Sequence, residues 1–315
     1  VKRWLKRACF VFLAPIMLIA SAYATQARWL PYAIAASCKG PLSLVRSRQV
    51  PACVSRQMRV NVGPPTAHLA LWILEPPTEP RGTVLVLHGV QGHKRNVLQA
   101  GESLAREGYR AVLVDLRGHG ESSGAWLTFG VQDARDLSQV LDALERERLL
   151  AEPVAVYGTS YGAAAALIWA GQESRVRAVV SVAPFTTMRE EVPSFMRGFH
   201  RVPRWFVSDA QVQESIGVAG RLAGFDPQES SPLAAIQRTQ AAVLLLHGTA
   251  DAKIPVEHAR RLHAAADRHR AKLVIVEGAG HDSLFYDETG LLARATADWF
   301  RQWLTTPNTS ELRNE

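Results

Sequence analysis

The residues of this chain best suited to chemistry are Gly158-Thr159-Ser160-Tyr161-Gly162. They follow a short apolar run over residues 154–157 and precede an Ala-rich stretch over 163–170. That order predicts strand, sharp turn and helix, with a serine at the apex. The turn forces the serine backbone into strain, and glycines two residues to either side remove side chains that would clash. The hydroxyl then stands at a helix N-terminus, where backbone N–H groups stabilise negative charge. A serine so placed can attack a carbonyl carbon once a base takes its proton.

The base expected is His281, which follows the apolar run 273–276 in a flexible Gly278-Ala279-Gly280 loop. The carboxylate expected to orient it is Asp251, just past the run 242–246 in His247-Gly248-Thr249-Ala250-Asp251. Ser, Asp, His is one of the chain orders in which a serine triad occurs. Asp282 and Asp287 compete as the acid. Adjacency in sequence turns Asp282 to the wrong side of His281, and Asp287 begins the last helix. The run 176–182 ends in Ala183-Pro184-Phe185, which offers no carboxylate. His88, His119 and His247 sit in Gly-containing loops and are expected to shape turns. An oxyanion needs two donors. One is the backbone N–H of Tyr161; the other comes from His88-Gly89-Val90-Gln91-Gly92, with Val90 preferred and Gln91 the alternative. Gly89 and Gly92 let that backbone come close.

The elements that must hold these residues alternate. Strands are predicted at Ala67–Leu74, Thr83–Leu87, Arg110–Val114, 154–157, Val176–Val182, 242–246 and 273–276. Helical spacing covers 96–107, 131–148, 163–170, 256–268 and 288–304. Continuous β-branched and Leu runs mark strands buried on both faces. Strand–helix alternation predicts an α/β fold, a mostly parallel sheet with helices on both sides. Chemistry then collects at the carboxyl ends of the strands, where the polar, Gly-rich stretches lie. Residues 185–232 lack strand patterning and carry Phe195, Met196, Phe199, Trp205 and Phe206. They read as an inserted helical cap, with Phe195, Phe199, Trp205 and Phe206 as substrate-binding candidates or as packing. Residues 28–66 read as a linker or N-terminal wrap, and 305–315 as a tail.

The remaining composition narrows the class. The chain has 315 residues, 47% of them hydrophobic and 21% charged, enough for a sizeable core. The net charge of +7 is concentrated in Lys2, Arg3, Lys6 and Arg7, and the other cations are interspersed with acids. Nucleic-acid binding is therefore not expected. The basic cluster precedes an apolar run over residues 8–24 that ends in Ala22-Tyr23-Ala24, the form of a signal-peptide cleavage site. Residues 1–27 are expected to be an export signal, or an uncleaved anchor making membrane contact through 8–24. Export places Cys38 and Cys53 in an oxidising compartment, where they could bridge. Metal-ligand spacings such as HExxH and CxxC are lacking.

In order and spacing, HGVQG, DLRGHGES, GTSYG, HGTAD and GAGH resemble the motifs of the α/β-hydrolase superfamily. The resemblance spans residues 67–304. Within it, the chain looks most like the serine-aminopeptidase-like and prolyl-oligopeptidase-like hydrolases. Phe225-Asp226-Pro227 followed by Ser231-Pro232-Leu233 is similar to a segment common there. The resemblance implies a serine hydrolase with Ser160 as nucleophile, His281 as base and Asp251 as orienter. No metal or organic cofactor is implied. The expected partner is a small ester, thioester or short peptide. An apolar cap favours esters over peptides. An acyltransferase and a non-catalytic membrane-associated scaffold are the alternatives. Substrate choice is expected to reside in 185–232.

Overall fold

The computed structural model describes residue 25 and residues 28–36, 49–198, 207–285 and 289–304. Eight strands form one sheet: β1 (Arg56–Val62), β2 (Ala67–Leu74), β3 (Thr83–Leu87), β4 (Arg110–Val114), β5 (Val154–Thr159), β6 (Val176–Val182), β7 (Ala242–Gly248) and β8 (Ala271–Val276). Their spatial order is β1-β2-β4-β3-β5-β6-β7-β8. β1 and β2 run antiparallel to their neighbours, and β3 to β8 are parallel. Parallel pairing requires crossovers, and the helices that supply them cover both faces.

Alternation along each strand divides the core. In β3, Leu85 and Leu87 face one layer while Val84 and Val86 face the other. The first layer is closed by α2 (Val131–Arg146) and α3 (Tyr161–Ala170). The second is closed by α1 (Leu98–Arg106) and α9 (Leu291–Trp303). All residues of α3 are buried, which explains why it is apolar all round. Between β6 and β7 the chain forms α4 (Met188–Gly198), α5 (Asp209–Ala223) and α6 (Pro232–Ile236). Ser208 caps α5 by accepting from Gln211 N–H, and Gly224, left-handed at φ 74°, ends it. The remaining helices are α7 (Glu257–Ala265) and α8 (His281–Phe285).

The N-terminal stretch, expected to be a linker or a wrap, packs on the core and adds a strand that was not expected. Residues 28–35 are helical, with Leu30, Ile34 and Ala35 buried in the core. Residues 56–62 form β1, an edge strand of the sheet. Only Val60 and Val62 of β1 are buried, so its sequence carries the hydrophobic density of a loop. Cys53 is an exposed thiol, and Cys38, the other half of the possible bridge, lies outside the described residues. The apolar run 8–24 also lies outside them. Among the described residues no helix is long and apolar enough to cross a membrane.

Candidate active site

Ser160 sits where β5 turns into α3, with φ 52° and ψ −115°, a conformation a non-glycine residue rarely adopts. The surroundings enforce it. Ser160 N–H donates to Val182 O at 2.8 Å, which ties the turn to β6. A methyl group on Gly162 would stand 2.5 Å from His88 O and 2.7 Å from Leu87 O. One on Gly158 would overlap the Gly162 carbonyl. The two glycines are thus required by packing as well as by the turn.

His281 Nε2 lies 3.0 Å from Ser160 Oγ, and Nδ1 lies 2.7 Å from Asp251 Oδ2. An ionised carboxylate only accepts, so Nδ1–H donates to Asp251 and Nε2 accepts from the serine hydroxyl. All three side chains are buried. Burial by itself would raise the Asp251 carboxyl. Its hydrogen bonds to His247, His281 and the Ile254 N–H prevail and hold it well below the usual carboxylate range. Asp251 Oδ1 also accepts from the N–H groups of Lys253 (2.9 Å) and Ile254 (2.8 Å). The turn after β7 therefore locks the carboxylate before the imidazole arrives.

The His281 loop is fastened to that same turn. Ala250 N–H donates to Ala279 O at 3.0 Å, and Gly278 N–H to Thr249 Oγ1 at 2.9 Å. A side chain on Gly248 would overlap the Ala279 carbonyl, so the glycine allows the two loops to touch. Phe285, one turn along α8, meets the His281 ring edge-on at 5.1 Å.

The loop after β3 faces the serine from the opposite side. A methyl on Gly89 would stand 3.3 Å from Ser160 Cβ. Val90 and Tyr161, the two donors expected from sequence, both line the pocket beside Ser160. Tyr161 opens α3, where N–H groups have no intrahelical acceptor. The loop is shaped by His88, whose Nδ1–H donates to Gly89 O (2.7 Å) and whose Nε2 accepts from Leu116 N–H (3.1 Å). Burial, with the neighbouring His119, pushes the His88 imidazole down to about 3, so it stays neutral and can accept. Below it, Asp115 accepts from Lys94 N–H (2.6 Å), Lys94 Nζ (2.6 Å) and Glu121 N–H (2.8 Å). Lys94 was not among the residues expected from sequence. A lone lysine in a polar loop carries no signal until the fold brings Asp115 beside it.

The competitors that the structure describes have other partners. Asp282 pairs with Lys253 Nζ at 2.8 Å on the surface, and Asp287 lies outside the described residues. His119 Nδ1–H donates to Arg117 O at 2.9 Å. His247 Nε2–H donates to Ile254 O at 2.8 Å, with Asp251 Oδ2 at 3.4 Å, and so braces the Asp251 turn. Phe195 lines the pocket, whereas Phe199, Trp205 and Phe206 lie outside the described residues.

The pocket holding Ser160 has a volume of about 460 Å³. The cap supplies Glu191, Ser194 and Phe195, which share one face of α4 by their spacing. Glu191 is only 7% exposed and its Oε2 has no hydrogen-bond partner. Burial, aided by the charge of Asp251, pushes its carboxyl well above the ordinary value. From Ser160 the pocket continues into the core, between α1 and α9.

The sheet order, the helices on both faces and the serine turn after β5 together define an α/β-hydrolase fold. Comparisons with known proteins agree. The family model described as "Serine aminopeptidase, S33" matches residues 78–231, and that described as "TAP-like protein" matches 222–309. The uncharacterized protein YqkD of Bacillus subtilis (strain 168) is 28% identical over 207 residues, which are 65% of this chain and 66% of that protein. The chain thus spans just under two thirds of that relative's length. The Pyrococcus furiosus esterase Pf2001 superposes with a TM-score of 0.66 at 20% identity, over 83% of this chain and 97% of that one. Est1E from Butyrivibrio proteoclasticus, solved with ferulic acid bound, gives 0.60 at 18% identity, over 79% of this chain and 100% of that one. The chain belongs to the α/β-hydrolase superfamily, and hydrolase is the enzyme class that these likenesses support.

Proposed function

We propose that the protein is a serine hydrolase that cleaves a carboxylic ester through an acyl-enzyme. The observation that carries this is the unbroken relay from Ser160 Oγ through His281 to Asp251, at 3.0 and 2.7 Å. His281 Nε2 takes the hydroxyl proton as Oγ bonds to the carbonyl carbon. Asp251 stabilises the imidazolium and keeps the ring in its productive tautomer. The N–H groups of Val90 and Tyr161 receive the oxyanion. His281 then gives the proton to the departing alkoxide, the carbon–oxygen bond breaks, and Ser160 is left acylated. Water, deprotonated by the same imidazole, attacks the acyl-enzyme and restores the serine.

Ester is preferred because the pocket walls are mainly apolar, and because Pf2001, one of the similar structures named above, is an esterase. Amide cleavage is the second reading. It is favoured by Glu191, a buried carboxyl at the pocket with one oxygen left without a partner, and by the aminopeptidase family model. Residues 1–24 support an exported or membrane-anchored location.

A fluorophosphonate probe tests the chemistry. It is expected to label the native protein and to leave Ser160→Ala unlabelled; equal labelling of both, or of neither, overturns the reading. A panel of nitrophenyl esters beside aminoacyl amides tests the bond, and amide turnover matching ester turnover would reverse the preference.

A further inference from the structure

Substrate choice was expected in the cap; among the described residues, most of the pocket lining beyond Ser160 comes from the core. Thr159 and Tyr157 stand two residues apart in β5 and line its floor on the same face of the sheet. At ~3.3 Å per strand residue, Tyr157 lies about 10 Å below Ser160. The walls above this floor are mixed: Ala100, Leu104, Leu292 and Ala297 stand beside Ser103 and Thr296, with Arg106 and Glu107 at the end of α1. Burial pushes the Tyr157 phenol up.

The two helices are fastened at one end of the slot. Arg301 pairs with Glu107 at 3.0 Å, and Phe300 meets Tyr109 edge-on at 6.2 Å. Further along, the small residues Ala100 and Ala297 line the gap. Core positions facing a sheet are ordinarily packed to crystal-like density, so a gap opening onto a serine is unusual.

The other arm of the pocket is different in character. Near His281 it is lined by Lys253, Asp282, Glu191 and Ser194. His281 protonates the leaving group, so the leaving group lies on this polar side, and the hydrolytic water enters there. The group that stays bonded to Ser160 then points away from that side, toward the slot and its apolar side chains.

We infer that the slot between α1 and α9 is the acyl-chain site, and that the substrates are esters of extended, unbranched aliphatic acids. This rests on the serine-hydrolase reading above. A depth of about 10 Å suits a chain of roughly eight carbons. Each buried methylene favours binding by up to about fourfold, so the slot would select strongly for length until it is full.

The test is a series of nitrophenyl esters from acetate to dodecanoate, read as kcat/KM, with wild type, Ala297→Phe and Ala100→Val. Wild type is expected to favour octanoate over acetate by at least about tenfold. Ala297→Phe blocks the slot from the α9 wall and should lower the octanoate-to-acetate ratio by about tenfold or more. Ala100→Val, a smaller change on the opposite wall, should move the preferred length to shorter chains and decides the matter if the bulkier variant does not fold. Each ratio is taken within one sample, so an inactive fraction cancels. A wild type indifferent to chain length, or ratios within about twofold of wild type in the folded variants, overturns the inference. Fluorophosphonate labelling on the same samples separates the two failures. Labelled protein with unchanged ratios loses only the slot, whereas unlabelled wild type loses the serine reading and the slot with it.

Discussion

The loops beneath Ser160 and the cap above it bury polar groups in different ways. Beneath, Asp251 accepts from His281, Lys253 N–H and Ile254 N–H, and Asp115 accepts from Lys94 and Glu121 N–H. Above, α4 buries Met188, Val192 and Met196 in the core, but Glu191 beside them has an oxygen without a partner. The ion pair that reaches from α4 to α7, Glu190 with Arg261, is largely exposed. Exposed pairs contribute little, whereas a satisfied buried network fixes a single geometry. The chemistry is therefore over-determined from below, and the cap tolerates an unfavourable group from above.

Breaking the lower network should have the largest effect. Asp251→Asn keeps the shape but stabilises the wrong His281 tautomer, and kcat on the best ester should fall by about 10⁴-fold. A loss below about tenfold would place the orienting carboxylate elsewhere.

The next effect is on acid stability. His88 is held neutral, at about 3, below its ordinary 6.5. Between those values the unfolded chain binds the proton and the native chain does not. The His88 contribution is thus fully present above pH 6.5 and is lost as pH falls toward 3. Urea unfolding from pH 7 to pH 4 should show wild-type stability falling by up to about 1.4 kcal/mol per pH unit from this group. His88→Asn should be less stable at pH 7 but should show a shallower slope. Parallel slopes would show that His88 is charged in the fold.

The smallest effect runs the other way. Glu191 has its carboxyl raised, so the native state holds a proton that the unfolded state releases above about pH 4.5. Its contribution is present below that pH and lost as pH rises. Glu191→Leu should gain about 1 to 2 kcal/mol at pH 8 and progressively less toward pH 4. A destabilised variant at pH 8 would mean that the cap carboxyl has a partner after all.

The central strands were legible with both ends, as at Thr83–Leu87 and Val176–Val182. A strand buried on both faces must be apolar throughout, and the polar turn that follows it stops the run. β1 was not legible, because an edge strand buries one side only and its Arg, Gln and Asn residues read as a loop. Helix ends were less sharp. The expected helix over 96–107 is a 3₁₀ turn at Lys94–Val97 followed by α1, and α7 is shorter than 256–268.

By itself the sequence determined the parallel sheet, the serine turn, and which histidine and aspartate the fold would bring beside it. Those features are local: each lies in a turn directly after an apolar strand, and parallel strands bring such turns to one edge. Only the tertiary structure decided where the pocket leads. The slot is a gap between α1 and α9, far apart in the chain, and its walls include alanines that carry no mark of function. A space left by packing has no residue of its own, so no spacing in the sequence could announce it.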